Sequence, residues 1–307
     1  MRALVTGGAG FIGSHLVHAL RHEGWQIVVL DDLSTGFGAN LPPDVEFLQG
    51  DVADPVLLER AVAGCSLVFH LAAVSSVQDS LLRPLDVHRT NLTGTLSLLD
   101  AAARGGVGRL VFSSSAAVYG DTGGAAARED MKPHPLSHYA VQKLACEHYC
   151  GMYQRLRGLD TVCLRYFNVF GPRQSVVSPY TGVIAKFLGA VLSGSAPLIY
   201  GDGGQTRDFC HVSDVVAATM AAAVRPARDV AGGVFNIGTG TSVSVLDLAE
   251  EFQRLFPDLP KPRTEPARAG EIRASRADIA EARKHLGYAP VVTLADGLAG
   301  LVSAARG

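Results

Sequence analysis

The segment GGAGFIG, residues 7–13, is the feature that most restricts what this chain can fold into. It places four glycines in seven positions directly after the strand-like run RALVT. They can be read as Gly8-x-Gly10-x-x-Gly13 or as Gly7-x-x-Gly10-x-x-Gly13, so the spacing alone leaves the type of turn open. A turn with so few side chains lets the backbone bend sharply and approach another group closely. The residues that follow must decide between an ordinary turn and a binding site.

A helix and a second strand follow the glycines. Ile12, Leu16 and Leu20 form one apolar face of the helix, and the second strand ends in Asp31, eighteen residues beyond Gly13. In dinucleotide-binding units the glycines let a pyrophosphate approach the backbone, and an acid about 20 residues further on receives the ribose hydroxyls. The sequence therefore predicts a dinucleotide site at this turn.

Two aspartates at the end of the second strand, Asp31 and Asp32, favour one dinucleotide over the other. A carboxylate there repels a 2′-phosphate, and no arginine follows in DDLSTGFG. We therefore predict NAD rather than NADP as the cofactor. A solvated loop aspartate is the alternative, and it applies more to Asp32 than to Asp31.

Short runs rich in Val, Leu and Phe alternate with helical stretches in the first half of the chain: RALVT, QIVVLDD, VEFLQGD, SLVFHLAA, RLVFSSS and DTVCLRYFN. Continuous apolar strands between helices predict an α/β fold with a Rossmann-type, doubly wound parallel sheet. The pattern loosens after about residue 170. We therefore expect an NAD-binding domain over residues 1–170 and a smaller C-terminal α/β substrate lobe over 171–307, with a strand near 232–239 that could return to the first domain.

Composition excludes several classes of protein. The 307 residues are 48% hydrophobic and 18% charged, which indicates a globular core, and the formal charge of -2 predicts no nucleic-acid partner. The five cysteines lack paired CxxC spacing and the ten histidines are scattered, so we predict neither a disulfide framework nor a metal site. No run approaches the ~18 apolar residues of a membrane span, and the N-terminus lacks the apolar core of a signal peptide. We therefore predict a cytoplasmic location without membrane contact.

A candidate catalytic group lies in SHYAVQKLACEHY. Tyr139 and Lys143 are four residues apart on a probable helix, so both side chains leave the same face. The run RLVFSSS ends at Ser115 and can bring a hydroxyl close to the tyrosine. A phenol titrates near ~10, but a cation ~4 Å away at an effective dielectric of ~20 lowers its pKa by about three units. Lys143 is therefore expected to make Tyr139 a usable base, and the positive charge of an oxidised nicotinamide ring is expected to favour the phenolate further.

Taken together, the motifs resemble those of the extended short-chain dehydrogenase/reductase family, and most of all its UDP-hexose 4-epimerases. The resemblance rests on TGGAGFIGSHL, Asp31, HLAA, SSSAAVYG, Tyr139-x-x-x-Lys143 and RYFNVFGPR, and it continues through YGDGGQTRDFCHVSD and RAGEIRASRADIAEARKHLGY. It implies a UDP-sugar substrate and NAD that stays bound. It also implies a homodimer formed partly by the helix LSHYAVQKLACEHYCGMYQRL.

The resemblance also assigns roles to individual residues. It implies that Tyr139 takes the proton of the sugar C4 hydroxyl, that Ser115 hydrogen-bonds the same oxygen and that Lys143 holds the nicotinamide ribose. With the strand-end aspartates, the predicted cofactor residues are Gly7, Gly10, Phe11, Ile12, Asp31, Asp32, Asp51, Val52, Leu71, Ala72, Ala73, Tyr139, Lys143 and Tyr166. The predicted substrate residues are Ser76, Ser115, Asn168, Leu198, Tyr200, Arg207, Arg268, Glu271 and Ser275.

The two predicted substrate arginines make physical sense as a diphosphate clamp. Arg207 and Arg268 can each form charge-assisted, bidentate hydrogen bonds to phosphate oxygens. The alternative is a surface ion pair with Asp208 or Glu271. Because both arginines fall within matched motifs, we prefer the clamp.

The residues after Ser115 help to choose among the reactions of that family. Dehydratases of the family usually carry Asp-Glu there and decarboxylases commonly carry a glutamate, whereas this chain has Ala116 and Ala117, whose methyl groups cannot transfer protons. We therefore predict a NAD-dependent 4-epimerase that acts through a 4-keto intermediate. The alternatives are a dehydratase that uses another acid, such as Glu129, a reductase, and a non-catalytic NAD sensor.

Two serines bear on the sugar. Ser275 matches a position where a tyrosine in some epimerases restricts the space beside the sugar C2 substituent, and Ser76 in SSVQDS resembles members that act on N-acetylated sugars. We therefore expect UDP-GlcNAc and UDP-GalNAc as substrates, alone or together with UDP-Glc and UDP-Gal.

Overall fold

The computed structural model describes residues 1–175, 182–267 and 272–306. The predicted substrate residues Arg268 and Glu271 lie outside these ranges. The described strands are β1 (Arg2–Thr6), β2 (Gln26–Asp31), β3 (Glu46–Gln49), β4 (Leu67–His70), β5 (Arg109–Ser115), β6 (Asp160–Tyr166), β7 (Asn168–Phe170), β8 (Leu198–Tyr200), β9 (Thr206–Arg207), β10 (Phe209–His211), β11 (Val234–Ile237), β12 (Val243–Ser244) and β13 (Arg263–Glu265).

The described helices alternate with these strands. They are α1 (Phe11–His22), α2 (Pro55–Val62), α3 (Val77–Leu82), α4 (Pro84–His88), α5 (Gly94–Arg104), α6 (His138–Arg157), α7 (Val183–Leu192), α8 (Val212–Val224), α9 (Ala227–Val230), α10 (Val245–Leu255), α11 (Ala280–Leu286) and α12 (Leu294–Arg306). Short 3₁₀ turns occupy Gly38–Asn40 and Ala116–Tyr119, and one π-helical turn occupies Arg89–Thr93.

A seven-stranded sheet in the order β11-β6-β5-β4-β1-β2-β3 forms the centre of the molecule, and every neighbouring pair is parallel. The chain passes from β3 at one edge back to β4 beside β1, so the strand order reverses between β1 and β4. Open α/β sheets bind ligands at the carboxyl ends of strands where the order reverses. The predicted Rossmann-type fold is confirmed, and its binding edge is located.

Apolar cores lie on both faces of this sheet. One face packs against α1 and α8 through side chains that include Leu16 and Val215, and the other packs against α2, α5 and α6 through side chains that include Leu99. Because both faces are covered, the strands are continuous apolar runs rather than alternating ones. A third core, around Phe187 and Phe252, joins α7, α10 and α12 in a separate lobe.

The two halves of the chain are interleaved. β11 falls within residues 232–239 and pairs with β6, so a segment of the second half completes the first sheet. The smaller lobe is built on short two-stranded sheets, β8 with β13 and β9 with β12, while β7 pairs with β10. The boundary between residues 170 and 171 stays a prediction.

The long helix α6 carries Tyr139 and Lys143. It begins where the Ser137 side chain accepts a hydrogen bond from the Ala140 N–H, and it ends at Gly158, whose left-handed conformation stops the helix. It packs on β5 and β6. These ends set the position of the two predicted catalytic side chains along the sheet.

Three expectations from composition concern features beyond the fold. Within the described ranges, no helix combines the length and the apolar character needed to cross a bilayer. All five cysteines are buried and unpaired, and the described residues contain no group of three or more His, Cys, Asp or Glu side chains suited to a metal. The cytoplasmic location stays a prediction.

Candidate functional site

The carboxyl edge of the sheet brings most of the predicted residues together. Gly7 follows β1, Asp31 ends β2, Leu71 follows β4, Ser115 ends β5 and Tyr166 ends β6. Parallel strands have their carboxyl ends at the same edge, so five separate stretches of sequence meet beside the reversal in strand order.

The glycine turn is too tight for side chains at two positions. Gly7 has a φ of +71°, and a β-carbon there would lie 2.7 Å from the Ala72 nitrogen. A β-carbon on Gly13 would lie 2.0 Å from the Gly7 oxygen. Gly10 is the N-cap of α1, and no side chain caps the N–H groups of its first helical turn, which begins with Phe11 and Ile12. The positive end of the helix therefore faces the glycine turn. This backbone cradle fits the pyrophosphate of a dinucleotide.

The side chain of Asp31 fixes the loop beside this cradle. Its carboxylate oxygens accept hydrogen bonds from the Ala9 N–H at 2.9 Å and the Leu33 N–H at 2.8 Å. Each oxygen keeps capacity for one more donor, which fits a ribose hydroxyl. Burial raises the pKa of Asp31, whereas Asp32 lies on the surface and accepts from the Ser34 N–H.

Two of the predicted cofactor residues, Asp51 and Val52, have their side chains engaged within the protein. Asp51 pairs with Arg89 at 2.7 Å, and the buried Val52 packs against Gly94 of α5. Leu71 to Ala73 run half-exposed from the end of β4, and the Leu71 N–H is held by the Thr6 carbonyl. The cleft is therefore lined here largely by backbone.

Tyr166 is buried at the end of β6, and its hydroxyl shares a 2.7 Å hydrogen bond with the Thr219 hydroxyl of α8. The hydroxyl is thus engaged with the helix layer. Its role in cofactor binding stays a prediction, which the ring rather than the hydroxyl would fulfil.

The three predicted catalytic residues lie together beside this cleft. Tyr139 and Lys143 are both buried, and the Tyr139 hydroxyl shares a hydrogen bond with the Ser115 side chain. The Lys143 ammonium donates to the Ser113 carbonyl at 2.6 Å and lies 5.9 Å from the centre of the Tyr139 ring. The lysine is thus anchored on the strand that carries the serine.

Burial opposes the expected effect of Lys143 on Tyr139. Loss of hydration raises the pKa of Tyr139 to about 12, although the Ser115 hydrogen bond opposes this, and it lowers the pKa of Lys143 to about 8. The expectation assumed a cation at ~4 Å from the phenol and a second positive charge from the nicotinamide ring. That Lys143 and the bound cofactor together make Tyr139 a usable base stays a prediction.

The predicted substrate residues lie on the smaller lobe and on its border with the sheet. Asn168 is exposed on β7, Leu198 and Tyr200 are on β8, and Arg207 is on β9, where it donates to the Thr206 carbonyl. The Ser275 N–H donates to the same carbonyl, which places Ser275 beside Arg207. A cavity of about 340 Å³ opens next to Tyr200, and it is lined by Tyr200, Gly201, Asp202, Gln205, Ala267, Ile272 and Arg273.

The Asp208 side chain is not the partner considered for Arg207. It is fully buried, and its carboxylate accepts from the Thr239 N–H and hydroxyl and from the N–H groups of Gly240 and Ala277. Asp208 therefore ties three segments together instead of forming a surface ion pair. The other candidate, Glu271, lies outside the described residues.

Two further predicted residues have local structural contacts. The Ser76 side chain caps α3 by accepting from the Asp79 N–H. Glu129 is half-buried, and its carboxylate accepts from the Asn236 N–H of β11. The Glu129 carboxylate is thus held by the fold rather than free in a loop.

Sequence reasoning missed a buried ion pair next to the site. Glu147 lies four residues after Lys143 on α6 and pairs with Arg165 of β6, and both side chains are about 5% exposed. The spacing Tyr139-x-x-x-Lys143-x-x-x-Glu147 was the available signal, since it places a third polar residue on one buried face.

Comparison with known proteins identifies the chain's relatives. Residues 3–238 match the model of the NAD dependent epimerase/dehydratase family. A UDP-glucose 4-epimerase of Mycolicibacterium smegmatis is 40% identical, covering 97% of this chain and 96% of the relative. The structure of UDP-glucose 4-epimerase from Thermotoga maritima with UDP-glucose has a TM-score of 0.95 at 37% identity, covering 100% of this chain and 99% of that one. The Thermus thermophilus enzyme in complex with NAD has a TM-score of 0.92 at 37% identity, with the same coverage.

Other relatives carry other activities. A UDP-N-acetylglucosamine 4-epimerase from Methanobrevibacter ruminantium has a TM-score of 0.94 at 36% identity and covers 99% of this chain and 98% of that one. A dTDP-glucose 4,6-dehydratase of Streptomyces niveus is 35% identical over 97% of this chain and 90% of the relative. The expected enzyme class, an isomerase of nucleotide sugars, is confirmed by the epimerases, and the expected cofactor, NAD, by the family. The chain belongs to the NAD dependent epimerase/dehydratase family.

Proposed function

We propose that this chain is a UDP-hexose 4-epimerase that inverts the sugar C4 through a 4-keto intermediate. The observation that carries the proposal is the convergence of Ser115, Tyr139 and Lys143 beside the glycine cradle, with Ala116 and Ala117 directly after the serine. Epimerisation needs one group that takes and returns a proton at C4, and the site has that group. It lacks, at those two positions, the acid and base that an elimination needs.

Tyr139 takes the proton of the C4 hydroxyl and returns it on the way back, and Ser115 hydrogen-bonds the same oxygen. Bound NAD supplies the chemistry of accepting and returning a hydride, together with a positive charge. The free phenol, with a pKa of about 12, is neutral at physiological pH, so that charge and the Lys143 ammonium favour the phenolate only in the loaded site. The residues thereby couple proton transfer to the presence of the cofactor.

The nucleotide end of the substrate is assigned to the smaller lobe. Arg207 on β9 can bind a diphosphate by charge-assisted hydrogen bonds. Tyr200 lines the 340 Å³ cavity in the same lobe. Ser275, whose backbone is held to Thr206, has a small side chain and leaves space for a C2 substituent. We therefore include UDP-GlcNAc and UDP-GalNAc among the substrates, beside UDP-Glc and UDP-Gal.

A homodimer is part of the proposal, with a second copy of this chain covering α3, α4 and α6. These neighbouring helices expose apolar side chains, among them Leu82, Leu85 and Leu156, and Leu156 is 70% exposed. Apolar side chains exposed on neighbouring helices are typical of a subunit interface. In light scattering after gel filtration, Leu156→Glu should shift the dimer towards monomer. Val291→Glu is the control and should not, because Val291 is 80% exposed and lies outside these three helices. A wild-type monomer at micromolar concentration would contradict the dimer.

The test of the function uses purified protein without added cofactor. Heat release followed by chromatography should yield NAD close to one per chain, and proton NMR should show UDP-glucose converting to UDP-galactose and UDP-GlcNAc to UDP-GalNAc. A 4-keto-6-deoxy product would support the dehydratase alternative, and a need for added NADPH would support the reductase. Bound NAD without any turnover would support the sensor.

A further inference from the structure

A buried polar network lies one helical turn beyond Lys143. The Glu147 carboxylate accepts from the Arg165 Nε at 2.9 Å and from an Arg165 terminal nitrogen at 2.7 Å. Its Oε1 also accepts from the Ser114 hydroxyl at 2.5 Å. A bidentate, charge-assisted pair with a third donor holds one geometry much more strictly than a single contact does. The network therefore fixes α6 to β5 and β6 at a defined distance.

The position of Ser114 is what connects this network to the site. Ser114 and Arg165 are directly paired neighbours on β5 and β6, so both side chains leave the face that α6 covers. The residues on either side of Ser114 both serve the site: the Ser113 carbonyl anchors Lys143, and the Ser115 hydroxyl bonds Tyr139. A shift of Ser114 would therefore move both contacts at once.

The network extends to the edge strand β11 of the sheet. The Arg165 guanidinium lies 4.7 Å from the centre of the Tyr119 ring, and the Tyr119 hydroxyl donates to the Asn236 side chain of β11 at 2.7 Å. Tyr119 ends the 3₁₀ turn Ala116–Tyr119 that directly follows Ser115. The segment that carries Ser115 is thus held at both ends by groups bonded to this one network.

Glu147 also places a negative charge close enough to Lys143 to affect its pKa. Apart from Glu147, the titratable groups that face the lysine are three thiols, a phenol and a buried imidazole: Tyr139, Cys146 and Cys150 on α6, Cys163 on β6 and His70 on β4. Burial raises the pKa of Tyr139 and of Cys146 and lowers the pKa of His70 to about 3, and a hydrogen bond with Cys150 together with burial raises the pKa of Cys163. Burial lowers the pKa of Lys143, and Cys146 and the Glu147 carboxylate are the first groups that oppose this shift.

We propose that Glu147, together with Arg165 and Ser114, is a positioning residue of the reaction: it holds the end of β5 so that Ser115 and Lys143 stay in contact geometry with Tyr139. The inference rests on the proposed function for its effect on turnover. It predicts that the protein still folds when the network loses its charges. Ser115 and Lys143, however, should then no longer be aligned with Tyr139. Apolar groups of similar volume can replace a buried ion pair without unfolding a protein.

The main variant is therefore Glu147→Leu with Arg165→Met, which leaves no buried charge behind. Its matched control is Arg109→Met with Asp160→Leu, because that ion pair joins the same two strands at their opposite ends, away from the site. We expect kcat of the first variant to fall about 10- to 100-fold with KM for the UDP-sugar and NAD content nearly unchanged, as for a misplaced catalytic group. The control should keep kcat within about twofold while losing a similar amount of thermal stability.

A second readout does not depend on turnover. The ε-carbon of Lys143, labelled with ¹³C and assigned by the loss of its signal in Lys143→Arg, reports the lysine pKa directly. Glu147→Gln should lower that pKa and Arg165→Met should raise it, each by about one unit, because the first removes a negative charge and the second a positive one. The control variant should leave it unchanged. A role limited to stability would move neither value.

The inference is overturned if the double variant keeps wild-type kcat, if the control loses kcat to the same extent, or if neither single variant moves the lysine titration. Failure of the wild type to convert any UDP-hexose would instead defeat the proposed function, and the lysine titration would still decide whether Glu147 and Arg165 act on the site. Should the single variants fail to fold, the turnover of the double variant decides the question.

Discussion

The edge of the sheet that carries the chemistry and the lobe assigned to the substrate are built differently. At the sheet edge, Asp31, Tyr139 and Lys143 are each less than 10% exposed, and hydrogen bonds tie Asp31 to the glycine turn and Lys143 to β5. In the smaller lobe, Leu198 and Arg207 stand on strands of three and two residues with part of their surface open. Under the proposed function, the reacting groups therefore lie in the core, and the groups that select the substrate lie on short surface elements.

This contrast predicts two kinds of defect. Changes at the sheet edge should lower turnover while the nucleotide sugar still binds, because they disturb groups that act on the reacting carbon. Changes in the smaller lobe should alter affinity or substrate preference and leave turnover nearly intact. The four tests below run from the largest expected effect to the smallest.

Tyr139→Phe should lower kcat about 10²- to 10⁴-fold, because a phenyl ring packs in the same space but cannot exchange a proton. NAD content, measured after heat release, should stay near wild type. Tyr149→Phe is the matched control on the same helix, since Tyr149 is 38% exposed and has no part in the site. Turnover of Tyr139→Phe at the level of this control would remove the tyrosine from the mechanism.

Arg207→Ala should raise KM for the UDP-sugar about 10- to 100-fold, the range of a lost charge-assisted hydrogen bond, with kcat within about threefold of wild type. Steady-state kinetics give both values. Arg228→Ala, an exposed arginine on α9, removes the same charge from elsewhere on the chain and should change neither. A fall in kcat with unchanged KM would place Arg207 with the sheet edge and break the comparison.

The pH dependence tests the sheet edge alone. Burial lowers the pKa of Lys143 from 10.5 to about 8, so the ammonium is lost above about pH 8 and kcat should fall there. Stability should respond in the opposite sense. Between about pH 8 and 10.5 the unfolded chain binds more protons at this lysine than the folded one, so this group stabilises the fold increasingly as pH rises.

The kcat profile of the wild type and its thermal unfolding over the same pH range separate these two effects. The fall in kcat should be reversible and should precede any loss of fold. An activity that stays flat to pH 10 would show that the charge of Lys143 is not needed.

Ser275→Tyr should have the smallest effect, a loss of several-fold in kcat/KM that is confined to UDP-GlcNAc, because the larger side chain fills space beside the C2 substituent. Activity on UDP-glucose should persist. Ser275→Ala, which adds no volume, is the control and should leave both substrates unaffected. Equal losses on both sugars would assign Ser275 to general packing of the lobe.

Much of the sheet edge was predictable from local pattern. Gly7 and Gly13 sit where a β-carbon would collide with backbone, and such positions are visible as glycines after a strand. Tyr139 and Lys143 were visible as a helical pair because four-residue spacing places two side chains on one face. The strand that returns to the sheet, β11, was visible as an apolar run, but its partner β6 was not, since pairing across 70 residues leaves no local trace.

The amino-acid sequence by itself determined the parallel sheet, the glycine cradle and the side chains proposed to react, because each leaves a pattern of residues close together in the chain. Only the tertiary structure decided their electrostatics. The pKa of Tyr139 depends on burial by elements from several parts of the chain, and Asp208 and Glu147 find their partners across distant segments. Desolvation and long-range pairing are properties of the packed molecule, so no local pattern could have fixed them.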